Sequence, residues 1–250
     1  MKKTIICFIC CCCLLSPLTA RNYQQEIDLA LHAITQSKSM ETLNRLVQEL
    51  ETSAKDQDLL VYWKSYAKYK QALAYQALHE KEKDCRKQCA KMLSEGIRAL
   101  EEKKHKYSED YALLSIMRNL SIRYNATLKI PIISQAAKSD AQAAIKADSE
   151  NLRAYVAAGV QDYFTPALYG GGSAYEQYFL QALALPDQTQ ENPYQPSWGR
   201  EDAYFYLIIH YYNQGLCNKA KDLLVEALAI YPQESRLLDL ADQMKKHGRL

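Results

Sequence analysis

Few residues of this chain have the type and spacing to do chemistry, and the densest group is a glycine run. From Asp162 to Phe179 the sequence reads DYFTPALYGGGSAYEQYF, with three of the eight glycines consecutive. A phosphate cradle needs a strand before such a run and Gly-Lys-Ser or Gly-Lys-Thr at its end. Here Gly172 is followed by Ser173 and Ala174, and no lysine is near. The run reads instead as a turn: Pro166 stops one helix, and the glycines supply positive φ values and a cap for the next. The amides of Gly171, Gly172 and Ser173 are still placed to meet an anion at a helix start.

Cysteine and histidine offer little more. Five of the eight cysteines fall within the first twenty residues, leaving Cys85, Cys89 and Cys217. Cys85 and Cys89 are four apart on one helical face, where side chains run alongside one another and a bridge needs distortion. Three thiols leave at least one free or paired to another chain. Joining His79 to the pair matches no common zinc spacing and lacks a fourth ligand. The histidines, His32, His79, His105, His210 and His247, form no zinc-protease motif, and no Gly-x-Ser-x-Gly elbow exists. Carboxylates are scattered, so no acid pair stands out. Asn119 and Asn125 match the glycan acceptor pattern but sit in or beside a helix. The expectation is a protein without catalytic residues, cofactor or metal.

The amino terminus speaks of export. MKK is a short positive leader, TIICFICCCCLLSPL is an apolar stretch of roughly fifteen residues, and LTA ends on a small residue. That is the layout of a signal peptide, residues 1–20, cleaved after Ala20. An uncleaved anchor is the alternative, and a lipoprotein signal fits poorly because no small residue precedes any of the leader cysteines. Without Lys2 and Lys3 the basic count falls from 31 to 29, equal to the acids. No basic excess remains to drive nucleic-acid binding. The expected place is the periplasm or the exterior.

The elements that must position everything else are helices. Apolar residues recur at three- and four-residue spacing through residues 21–250, and no alternation of period two appears. Ile27, Ala30, Leu31 and Ile34 make one stripe. Leu43, Leu46, Val47 and Leu50 make a second behind Ser39. Leu59 to Ala77 and Cys89 to Leu100 form two more, and Pro131 sits in the first turn of a helix ending at Ala147. In 201–234, Tyr204, Leu207 and Tyr211 lie on one helix, Gly215 marks a turn, and Ala220, Leu224 and Ala227 lie on a second that stops at Pro232. Residues 150–186 repeat the scheme with Tyr155, Ala158, Gly159, Tyr163, Ala174, Tyr178, Ala182 and Pro186.

This pattern resembles the tetratricopeptide repeat, departing from it at Ile208, where that family has a small residue. The resemblance implies an all-α fold, an α-solenoid of four or five helix pairs with a closing helix at about 233–246. From Ala136 to Gln188 the chain is similar to exported bacterial tetratricopeptide proteins, including the subunit associated with periplasmic TRAP-type transporters. That likeness implies docking of a solute-binding protein or a lining role in a ligand channel. In such arrays the first helix of each pair lines the concave face. Val156, Val160, Tyr163, Phe205, Ile209 and Tyr212 would then be partner- or ligand-binding candidates, with Lys64, Lys68 and Arg153 adding charge and Tyr169 on the glycine loop. The alternative for the apolar ones is simple packing against neighbouring repeats.

The expected function is an exported, non-catalytic helical scaffold for protein–protein interaction in the bacterial cell envelope. The alternative is a small-molecule-binding accessory subunit of a periplasmic solute transport system, with a tyrosine-rich cavity. The 19 tyrosines against 4 phenylalanines suit such a wall, since each ring carries a polar tip.

Overall fold

The computed structural model describes residues 22–52, 57–186 and 195–246. The leader, its five cysteines, most of the Pro-rich loop before Gln195, and His247 lie outside them. The described residues hold eleven α-helices and no strand. They are α1 (Tyr23–Ser37), α2 (Glu41–Thr52), α3 (Gln57–His79), α4 (Cys85–Glu101), α5 (Ser108–Ile122), α6 (Ile130–Ala147), α7 (Leu152–Phe164), α8 (Tyr175–Ala184), α9 (Arg200–Asn213), α10 (Cys217–Ile230) and α11 (Ser235–Lys246).

Caps explain where several of them begin. The Asn22 side chain accepts the Gln25 amide at the start of α1, and the Asn151 side chain accepts the Arg153 amide at the start of α7. Pro131 lies in the first turn of α6, where a missing N–H costs nothing. Ser39 accepts the Glu41 amide ahead of α2.

The helices pack in a regular order. Each odd-numbered helix from α1 to α9 touches the next odd one, and each is also packed against the even helices on either side of it in sequence. α11 rests on α10. α7 lies at the centre and is buried on nearly every side, which explains its uniform run of Leu152, Ala154, Val156, Ala157, Ala158 and Val160.

Small residues set how near the helices come. Ala220 and Ala227 are buried without residue against Tyr204, Leu207, Tyr211 and Leu224. Gly159 marks a close approach, because a Cβ there would lie 2.5 Å from the Phe179 ring of α8. Ile208, at the matching place in α9, is also fully buried, so α9 and α10 accommodate a branched side chain where α7 and α8 admit none.

The glycine run is a turn, and its amides are engaged from within. Residues Ala167–Tyr169 form one 3-10 turn, and Gly170 (φ 78°) and Gly172 (φ 77°) take left-handed conformations. The Gly171 amide donates to the Pro166 carbonyl and the Gly172 amide to the Asp162 carbonyl. The Asp162 carboxylate accepts the amides of Ala174 and Tyr175 at 2.8 and 2.9 Å. Two of the three amides expected to meet an anion are thus taken by backbone carbonyls, and the amides that follow Ser173 by the chain's own Asp162 carboxylate.

Candidate functional site

Two aromatic groups lie on the interior side of α3, α7 and α9. The first is built on α3, whose Tyr62, Tyr66 and Tyr69 recur at helical spacing. Tyr62 and Tyr66 are buried with their rings stacked 6.4 Å apart, and Trp63 packs edge-on between them. Burial pushes the hydroxyls of Tyr62 and Tyr66 well above the usual phenol range. Trp198, from the stretch ahead of α9, lies on Tyr66 at 5.7 Å and donates its indole N–H to the Tyr62 hydroxyl.

Polar ties hold that stretch in place. The Ser197 amide donates to the Gln24 side chain at 2.7 Å. The Trp198 carbonyl accepts from Arg153, whose guanidinium also grips Glu109 through two bonds of 2.7 and 2.5 Å. Burial works against the Arg153 charge, but the Glu109 carboxylate outweighs it and the pKa moves up.

The second group sits on α7, α8 and α9. Tyr206 stacks on Phe179 at 5.3 Å and lies 5.2 Å from Tyr163, which meets Phe164 and Tyr175 edge-on. The Tyr175 hydroxyl pairs with His210 Nδ1 at 2.7 Å. Phe205 carries the Arg236 guanidinium over its ring, and Arg236 binds Asp202 and Glu234 at 2.6 Å each.

Tyr69, whose ring lies 6.2 Å from Tyr66, extends the first group toward Tyr206 of the second. It is half-buried, and its hydroxyl is pushed up by burial, then by Asp202 and Tyr206, against the pull of Arg236. Tyr206 is raised in the same way, by burial and Asp202, with Arg236 and Arg123 opposing. Both are therefore neutral phenols that present ring faces. Lys70 lies over Tyr66 and Tyr69 at 5.3 and 5.7 Å and forms no ion pair among the described residues. Beside it, Glu201 is pushed up to about 7 by burial and by Asp202, with Lys70 opposing.

The ten residues singled out from sequence do not form one site. Tyr163, Phe205, Ile209 and Tyr212 are half-buried on the interior side of α7 and α9. Val156 and Val160 are buried, and Val156 packs beside Gly199, so the chain itself covers it. Arg153 is buried at 1% exposure and engaged by Glu109 and Trp198. Lys64 and Lys68 project the other way from Tyr66, to Glu51 on α2 and Glu95 on α4. Tyr169 is 71% exposed on its turn. Sequence reasoning missed Tyr66, Tyr69, Lys70 and Tyr206 as site residues. The spacing of Tyr62, Tyr66 and Tyr69 along α3 was the signal that could have found the first two.

Elsewhere an open cleft of about 780 Å³ lies between α4, α5 and α6, lined by Lys87, Lys91, Arg98 and Arg118 among others. Arg118 there is held by Glu101 and Asp140 at 2.6 and 2.7 Å. Among the described residues no helix is long and apolar enough to cross a membrane.

No protein-family model matches the chain. No curated protein matches it either. Among solved structures it is similar to the HusA haemophore from Porphyromonas gingivalis, at 19% identity and a TM-score of 0.51, over 74% of this chain and 90% of that one. At that identity the likeness is one of all-helical fold.

Proposed function

We propose that this chain is an exported, non-catalytic binding protein that carries a flat, largely apolar small molecule with acidic substituents, of the porphyrin class. The observation that carries the reading is the approach of the two aromatic groups at Tyr69 and Tyr206, with Lys70 over the Tyr69 ring. Half-buried tyrosine faces suit a planar ring system, because stacking and apolar contact need no particular hydrogen-bond pattern. Lys70, over the Tyr66 and Tyr69 rings, and the exposed Arg123, whose charge reaches Tyr206, suit carboxylate groups at a ligand's edge. The hydroxyls held as phenols leave ring faces, not phenolate oxygens, as the main contact. The similarity to a haemophore supports this ligand class.

The finer architecture belongs to the same proposal. The alternation of odd and even helices supports a tetratricopeptide-like α-solenoid whose first helices line the interior. The leader sequence supports export to the periplasm or beyond. Hand-over of the ligand to a transport system in the envelope follows from a carrier role. This reading favours small-molecule carriage over the protein scaffold.

The test is a titration of the purified chain from Arg21 onward with haemin and with iron-free protoporphyrin. Saturable absorbance changes at one equivalent, with quenching of tryptophan emission, support the reading. Tyr69→Ala and Tyr206→Ala should each weaken binding about tenfold, the loss of about one stacking contact. Unsaturable, non-stoichiometric changes equal in both variants sink it.

A further inference from the structure

Two buried thiols on α4 take no part in the aromatic site. Cys85 is the first residue of the helix and Cys89 lies one turn on, with their sulfurs 4.0 Å apart. Both are buried. Cys89 approaches the Ala72 carbonyl of α3 at 3.5 Å, and the Tyr124 hydroxyl lies beside its thiol. The pair thus lies buried beside the exposed turn at residues 80–84.

The helix sets the spacing and decides what it suits. Residues one turn apart hold their Cβ atoms about 5–6 Å apart, whereas a disulfide needs about 3.8 Å. Closing a bridge would distort the first turn of α4, which is packed on α3. A shared metal ion does not require that approach. With a sulfur–metal bond of about 2.3 Å, two thiolates on one ion stand about 3.8 Å apart at a tetrahedral angle and about 4.6 Å apart in a line. The observed 4.0 Å lies toward the bent end of that range, so a two-coordinate ion needs the sulfurs to part by about 0.6 Å, which the two side chains can supply without moving backbone. A tetrahedral ion needs further ligands, and among the described residues no group of three or more His, Cys, Asp or Glu is placed to hold a metal. Two ligands suffice for a soft monovalent ion, and thiolates select copper(I).

We propose that Cys85 and Cys89 form a two-thiolate site for copper(I) or a cation of like softness. On binding, each S–H gives its proton to solvent and two sulfur–metal bonds form, with no change of oxidation state. Burial pushes the Cys89 thiol up to about 11, a cost that the bound cation and the positive end of α4 must offset. The features that exclude zinc, wrong spacing and no fourth ligand, are those a two-coordinate ion tolerates.

The experiment uses the reduced chain from Arg21 onward, without oxygen, and copper(I) held by the coloured chelator bicinchoninate. One equivalent of copper should leave the chelator for the protein. Cys85→Ala and Cys89→Ala should each abolish the transfer, and Cys217→Ala should keep it. Circular dichroism checks that the variants fold. X-ray absorption on the unaltered protein reads the site directly should they not, and a shell of two sulfurs supports the proposal. Failure to withdraw copper, equal uptake by the Cys85→Ala/Cys89→Ala double variant, or a copper shell rich in nitrogen or oxygen overturns it. So does a Cys85–Cys89 disulfide in protein purified without reductant.

Discussion

Trp198 donates its indole N–H to the Tyr62 hydroxyl at 2.8 Å across 136 residues of sequence. The bond ties the entry to α9 to the second turn of α3, and both partners are buried. In a row of helices that touch mostly their neighbours, it brings a segment late in the chain onto an early helix.

Removing either partner should reveal the strength of that tie. Tyr62→Phe leaves the Trp198 N–H buried without an acceptor, at a cost of about 1–3 kcal/mol. Trp198→Ala also loses ring contacts and should cost about 3–5 kcal/mol. A double-mutant cycle of Tyr62→Phe and Trp198→Phe, read by urea unfolding, should show coupling of about 0.5 kcal/mol or more. Additive single effects would mean that the bond does not join the two regions.

Gly159→Ala separates helix propensity from packing. In a helix interior alanine is better than glycine by about 1 kcal/mol. At this position the new Cβ would lie 2.5 Å from Phe179, a buried ring stacked on Tyr206. Overpacking of about 1–3 kcal/mol should win, and the variant should melt lower. Adding Phe179→Leu should recover part of the loss. A higher melting temperature for Gly159→Ala alone would show that α7 and α8 can part at little cost.

The helices were legible in the sequence because each buries a stripe at its own period. Pro131, Ser39 and the alanines of α10 each marked a feature that the structure carries. The aromatic face was less legible, for a physical reason. Which side of a helix faces the interior depends on where its neighbours lie, and periodicity alone does not give that. Lys64 and Lys70 are both cations of α3, yet one reaches Glu51 and the other lies over Tyr66 and Tyr69. Arg153 looked like a surface charge because Glu109, 44 residues earlier, was not visible as its partner.

Asp162 replaces an anion at the start of α8, so its loss should loosen the glycine turn. Asp162→Ala removes the acceptor for two helix-start amides and should cost about 1–2 kcal/mol. Asp162→Asn keeps one acceptor oxygen and should cost less. Amide hydrogen exchange at Ala174 and Tyr175 should quicken in the alanine variant while α3 stays protected. Unchanged exchange there would show that water replaces the carboxylate fully.

Glu201 should make stability fall as pH rises. Its carboxyl is pushed up to about 7 by burial and by Asp202, against Lys70 and Arg236, whereas an unfolded glutamate titrates near about 4.3. Between these values the folded state binds more protons than the unfolded one, so stability declines through this window and levels off above it. Glu201→Gln keeps an oxygen to accept the Gly199 amide and removes the charge. The variant should gain on the unaltered protein from pH 5 to pH 8, in urea unfolding at each pH. Asp28, also raised by burial, acts in the same direction but is common to both proteins and cancels in the difference. A difference independent of pH would mean that Glu201 is solvated as an ordinary surface carboxylate, and that the space between α3 and α9 is wetter than its rings suggest.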